Sequence, residues 1–228
     1  MRHFRSTINY IIFAIGLQYA APAFSNTIAQ FGVIEVGKPV GYTNSQGEPS
    51  GIYADITEHL IADSGINGEI HLLPYPRLVR LMDVGKLDCA IFFTSPERKK
   101  NYSQIGLVVK RPIIIIGEVT RHITNSNIHD ALFGKNVGRV GASNTAEALH
   151  SNPGINVLDM RNYKHGVKML KLNRIDAFVG AKEVIDELYD YGQTYHIYRV
   201  KESWLQCSKK STVADKIPSF YGRLKQAL

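Results

Sequence analysis

The chain has 228 residues, 44% of them hydrophobic and 21% charged, with 27 basic against 20 acidic side chains and a formal charge of +7. That length suits one large domain or two small lobes, and the composition excludes fibrous and disordered classes. The basic excess is scattered without a long basic block, which argues against a nucleic-acid partner.

The amino terminus speaks to compartment. "MRHFRS" places Arg2 and Arg5 ahead of an apolar run from Ile8 to Ala23, and Ala23-Phe24-Ser25 supplies a signal-peptidase site. The pattern predicts a secretory signal over residues 1–25, cleaved after Ser25, and hence a periplasmic protein. Asn9, Gln18 and Pro22 interrupt the run, which falls short of the ~20 apolar residues of a spanning helix. No cysteine stands near the cleavage site to carry a lipid.

From Ile28 onward, strand and helix patterns alternate. "IAQFGVIEV" reads as a strand and "GKPVGYTNSQGEPSG" as a loop. "IYADITEHLIADSG" puts Ile52, Ile56, Leu60 and Ile61 on one helical face before Gly65. "EIHLL" is a short strand, "PYPRLVRLMDVG" a helix, and "KLDCAIFF" a near-continuous apolar strand of the kind covered on both faces. A strand is expected after Pro112 in "RPIIIIGEV". Then "NVGRVGA", "INVLDM" and "RIDAFVG" read as strands, with helices in "SNTAEALHS", "NYKHGVKMLKL" and "KEVIDELYDYG". Such alternation means βαβ units.

The fold expected is therefore α/β, with two Rossmann-like lobes joined by two extended segments. Lobe 1 takes residues 26–112, lobe 2 residues 113–200, and a return segment with a short C-terminal helix residues 201–228. "LMDVGKLDCAIFF" and "LKLNRIDAFVG" share one pattern of helix end, basic residue, aliphatic, Asp and apolar strand. It is either an internal repeat or the general grammar of an αβ turn. Cys89 and Cys207 are the two cysteines; export permits a disulfide, while the apolar setting of Cys89 also suits a buried thiol. Ligands of open α/β sheets sit beyond the carboxyl ends of strands, and "FFTSPER" and "GASNT" both fall there.

These segments, with "PVGYTNSQGEPSGIYADI" and "GKNVGRVGASNTAEAL", resemble family 3 of the periplasmic solute-binding proteins, the polar-amino-acid-type binding components of ABC importers. The resemblance covers nearly all of the mature chain and implies a type II periplasmic binding fold. It also implies a monomer that closes about a hinge on a carboxylate-bearing solute, and an ABC permease as partner. Residue by residue, Arg98 matches the arginine that holds the ligand carboxylate, Thr94 the hydroxyl that assists it and Tyr75 an aromatic that stacks on the ligand. Tyr42 matches an aromatic of the first loop, and Ser143, Asn144 and Thr145 match the hydroxyl and amides of the second lobe. Arg77 in "PYPR" is a second basic candidate. An arginine suits the task because its planar fork keeps its charge and fits a carboxylate with two hydrogen bonds.

Two departures bear on the ligand. Amino-acid binders of this family place an acid after the second-lobe "IDA" strand to pair with the ammonium group. Here the segment reads "VGAKEV", with Ala181 and Lys182 near that place and Glu183 displaced. The first-lobe strand ends on Phe92-Phe93 where a serine-rich end is usual. Common L-amino acids are expected to bind poorly, and a less zwitterionic or more aromatic acid to bind better.

Enzyme chemistry is not expected. "GRVGAS" lacks the lysine of a phosphate loop and the third glycine of a dinucleotide turn, and Ser143 lacks the following Gly of a nucleophile elbow. The histidines show no metal-binding spacing, so neither metal nor cofactor is expected. Two alternatives share the fold. One is an exported dehydratase acting on a cyclic carboxylic acid through Glu183, favoured if Glu183 faces the cleft near Arg98. The other is a periplasmic sensory binding module.

Overall fold

The computed structural model describes residues 28–217 apart from 142, 144, 191 and 193. The expected signal peptide and C-terminal helix lie outside the described residues.

The first apolar run forms β1 (Ala29–Ile34), with Ala29, Phe31 and Val33 fully buried. The polar loop carries a small hairpin, β2 (Tyr42–Thr43) and β3 (Pro49–Ser50), and leads into α1 (Ile52–Ser64). Then come β4 (Gly68–Leu73), α2 (Tyr75–Asp83) and β5 (Cys89–Phe93). "PERKKN" is itself helical, α3 (Pro96–Asn101), and runs into the long strand β6 (Tyr102–Ile116). The second half holds α4 (Ile128–Leu132), β7 (Asn136–Val140), α5 (Glu147–His150) and β8 (Asn156–Met160). After these come α6 (Tyr163–Lys171), β9 (Ala177–Ala181), α7 (Lys182–Asp186) and the long return strand β10 (Tyr195–Ser208).

All but β2 and β3 join one eight-stranded sheet in the order β4-β1-β5-β10-β6-β9-β7-β8. β1 runs parallel to β4 and β5, and β7 parallel to β8 and β9. Between these two parallel groups, β6 and β10 pair antiparallel along nearly their whole length. This ribbon is the pair of extended segments that joins the two lobes. Pro112 faces Val200 in it, and β6 gains its second neighbour, β9, only from Ile113 onward. A proline therefore fits inside β6: at residue 112 the strand has a neighbour on one side only, so no ladder bond is lost on the other.

Several boundaries differ from expectation. β6 begins eleven residues before the strand read after Pro112, because its first part mixes polar and apolar residues and pairs only with β10. α7 stops at Asp186 instead of Gly192, and α5 starts at Glu147 instead of Ser143.

Ile113, Ile114, Ile115 and Ile116 are wholly buried at the centre of the second half. Each such side chain contributes about 1.5–3 kcal/mol through loss of water contact. In the first half, Cys89 and Cys207 stand opposite each other on β5 and β10 and form a disulfide, which settles the open alternative. No helix among the described residues is long and apolar enough to cross a membrane.

Candidate functional site

β5 ends at Phe93, and the chain turns at once into α3. Ser95 caps that helix: its Oγ accepts the Arg98 amide at 3.2 Å, and Pro96 occupies the first turn, where a missing N–H costs nothing. The cap fixes the Arg98 side chain against the strand end. Its Nη1 donates to the Phe93 carbonyl at 2.7 Å, and its guanidinium carbon lies 4.9 Å over the Tyr75 ring and 5.3 Å over the Phe92 ring. Glu97 does not pair with it, and among the described residues Arg98 has no ion-pair partner. Partial burial lowers its pKa, with Tyr102 and Glu147 pulling the other way. Arginine still keeps its proton at any biological pH. A half-buried cation held by a carbonyl and two rings has anion-binding capacity left over.

The other expected residues fall in different places. Tyr75 stacks under Arg98, and its hydroxyl is buried without a hydrogen-bond partner. Thr94 lies beside the clamp, with its hydroxyl donating to Gln104 Oε1 at 3.0 Å and its amide to the Glu202 carbonyl. Tyr42 sits in the hairpin under the Lys38 ammonium, 5.3 Å from the ring centre. Arg77 is exposed on α2 and does not join the Arg98 cluster. On the second half, Ser143 Oγ donates to the Val140 carbonyl at 2.6 Å and shares a 2.8 Å hydrogen bond with the buried Thr145 hydroxyl. These two hydroxyls satisfy one another, and α5, four residues long, starts two residues beyond Thr145. Asn144 lies outside the described residues.

Between the halves is a cavity of about 40 Å³, lined by Tyr53, Phe92 and Phe93 on one side and Tyr163 and Glu183 on the other. Arg111 of β6 closes its floor. This arginine, 6% exposed, donates from Nη1 to Glu183 Oε1 at 2.6 Å and from Nε to the Tyr53 hydroxyl oxygen at 3.1 Å. Tyr53 in turn donates to Ser203 Oγ at 2.5 Å. Burial by itself would lower the Arg111 pKa, yet Tyr53 and Glu183 beside it together hold it above its ordinary value. Burial raises the Tyr53 pKa, against the pull of Arg111. The chain Ser203–Tyr53–Arg111–Glu183 thus ties β10, α1, β6 and α7 into one network. Removing Glu183 alone would leave the buried Arg111 charge uncompensated, which costs about 3–5 kcal/mol.

This network was not readable beforehand. Tyr53, Arg111 and Glu183 are separated by 58 and 72 residues, and no local pattern marks a pair at such distance. It also changes the reading of Glu183. The carboxylate faces the cleft, 20% exposed, but its partner is Arg111 rather than Arg98. Lys182 is bound to Asp186 at 2.7 Å. Neither residue after β9 therefore offers an unpaired acid to a ligand ammonium. Among the described residues, no cluster of His, Cys, Asp and Glu could hold a metal ion.

No protein-family model matches the sequence, and none of the curated proteins matches it. Solved structures do match, over most of their length. The holo form of ArgBP from T. maritima aligns with a TM-score of 0.71 at 16% identity, over 87% of this chain and 90% of its own. The substrate-binding protein of an amino acid ABC transporter aligns at 0.73 and 19% identity, over 88% and 94%. The ancestral amino acid-binding protein AncCDT-1, a precursor of cyclohexadienyl dehydratase, aligns at 0.72 and 15%, over 87% and 89%. The architecture is the type II periplasmic binding fold, which the resemblance implied.

Proposed function

We propose that this chain is an exported substrate-binding protein that captures a small carboxylate-bearing solute between its two halves and delivers it to an ABC importer. The observation that carries the reading is Arg98: a half-buried cation without an acidic partner among the described residues, fixed at the carboxyl end of β5 beside the interlobe cavity. The neighbours support the rest, since proteins that share this fold include an amino acid ABC transporter's binding protein.

The energies suffice. A charge-assisted hydrogen bond contributes about 1.5–3 kcal/mol. Two or three of these, with stacking on Tyr75, approach the roughly −8 kcal/mol of micromolar binding. A cavity of about 40 Å³ is far below the ~300–1,000 Å³ of ligand pockets, so the halves must part for the solute to enter. Closure then follows from contacts made by both halves, because a ligand shifts an equilibrium only through differential affinity.

Binding is favoured over catalysis because Glu183, the acid a dehydratase would use, is engaged by Arg111. The same pairing, with Phe92 and Phe93 at the cavity wall, disfavours an ordinary zwitterionic amino acid.

The test is a thermal-shift screen against amino acids, aromatic acids and dicarboxylates, followed by calorimetry on the best acid. Arg98→Ala should weaken binding at least a hundredfold while the ligand-free melting temperature moves by only a few degrees. Tight binding that survives the substitution would overturn the reading.

A further inference from the structure

The two halves meet at a joint whose place the sheet fixes. β5 pairs with β10 only from Ser203 onward, and β9 pairs with β6 only from Ile113 onward. Between them, Lys110 to Pro112 face Val200 to Glu202 with no further strand on either flank. A bare two-stranded ribbon twists more readily than a flanked sheet, so the halves turn about this short stretch.

Arg111 stands at the centre of the joint and bonds to both sides of it. Its Nε donates to the Tyr53 hydroxyl at 3.1 Å, and its guanidinium carbon lies 5.0 Å over the Tyr53 ring. Tyr53 belongs to the first half. It lies in the first turn of α1, is 3% exposed, and donates to the hydroxyl of Ser203, which pairs with β5. On the other side, Arg111 Nη1 donates to Glu183 Oε1 at 2.6 Å. Glu183 belongs to the second half, in the first turn of α7 directly after β9. Val184 beside it is 1% exposed and shares the cavity wall with Val36 and Val40 of the first half.

These bonds resist a change of angle. The guanidinium is one planar fork, and its two partners are anchored in different halves. Whichever half Arg111 follows when the ribbon bends, its bond to the other half must lengthen. That bond is strong where it stands, because Arg111 is 6% exposed and Glu183 is its ion-pair partner there. A charge-assisted hydrogen bond shifts an equilibrium by about ten- to a hundredfold.

We infer that Tyr53, Arg111 and Glu183 form a latch across the joint, which holds the two halves closed on each other without help from a solute. The latch sets a threshold for capture. A solute that needs the halves parted binds with its intrinsic affinity multiplied by the fraction of molecules that stand open. Arg98 takes no part in the three bonds, so the latch stands whether or not Arg98 holds a carboxylate.

The experiment measures the joint with no solute added. Spin labels on Glu58→Cys in α1 and Lys164→Cys in α6, both exposed positions, report the separation of the halves by pulsed dipolar spectroscopy. Cys89 and Cys207 are bonded to each other and take no label. The otherwise wild-type protein should give mainly one separation, that of the closed structure. Glu183→Gln or Tyr53→Phe should add a longer one, with the ratio of open to closed molecules rising about tenfold or more. Opening by Glu183→Gln alone means that Arg111 follows the first half, and opening by Tyr53→Phe alone that it follows the second. Arg111→Met combined with Glu183→Gln removes both charges together and leaves no orphaned ion. This double variant should open too, and it serves if Glu183→Gln does not fold. A wild type that is already open, or folded variants that melt earlier yet all keep the closed separation, would overturn the latch. Neither result touches solute capture at Arg98.

Discussion

The two halves of the molecule share their backbone joints and differ in what they place upon them. In the first half, Asp88 precedes β5: its amide donates to the Gln30 carbonyl at 2.7 Å, and its carboxylate accepts the Gln30 amide at 2.8 Å. In the second, Asp176 precedes β9 and makes the same two bonds with Asn136, both at 2.8 Å. Just upstream, the helix end is closed identically. The Lys86 amide reaches the Leu81 carbonyl at 2.8 Å, and the Arg174 amide the Met169 carbonyl at 3.0 Å. Each closure needs a residue in the left-handed region, Gly85 at φ 75° and Asn173 at φ 52°.

The contents diverge beyond these joints. Only β5 is stapled by a disulfide to the ribbon. A tyrosine opens both α2 and α6, but Tyr163 accepts the Ala181 amide at 3.0 Å whereas the Tyr75 hydroxyl is unpartnered under Arg98. After β5 comes a cation, Arg98; after β9 comes a carboxylate, Glu183, already neutralised by Arg111. A repeated scaffold can therefore carry two unlike chemical faces, because the hydrogen bonds that fix the scaffold do not involve the residues that meet at the cleft.

The sharpest way to break the comparison is the disulfide. Replacing Cys89 and Cys207 by serine frees a loop closed by a sequence separation of 118 residues, and urea unfolding should show a loss of about 5 kcal/mol. A loss near zero would mean that pairing within β5 and β10 already restricts the unfolded chain. The tyrosine pair is the next largest contrast. Tyr163→Phe orphans a buried amide and should cost about 1–3 kcal/mol, while Tyr75→Phe should be neutral or slightly stabilising. Equal costs in chemical denaturation would remove the asymmetry. The smallest effect concerns the helix ends. Asn173→Gly should stabilise by about 0.5 kcal/mol, since glycine takes positive φ without strain, and Gly85→Asn should do the reverse. The Gly85 change has an added steric term, because a Cβ there would lie 3.0 Å from that of Lys210.

Much of this was legible in the chain itself. Apolar runs such as "CAIFF" and "AFVGA" become buried strands because both faces are covered, and the shared "D" of "KLDC" and "RIDA" marks the two clasping aspartates. The position of Arg98 past a strand end was also readable, whereas the helix that starts at "SPER" has a Ser cap and a following Pro but only six residues, too few to show a periodicity. The long ribbon was harder. "YSQIGLVVK" and "YHIYRVKES" mix charges with apolar residues because the first part of β6 and much of β10 are only half-buried.

The place of β10 in the sheet has a consequence for assembly. It is the last described strand in sequence, yet it lies between β5 and β6 in the middle of the sheet. Until it arrives, β4-β1-β5 and β6-β9-β7-β8 are separate pieces, each with one exposed edge toward the other. A chain emerging amino terminus first can complete the later piece before the earlier one is joined to anything. The two wait as unzipped margins, and the final strand, inserted between them, is what makes the molecule one body.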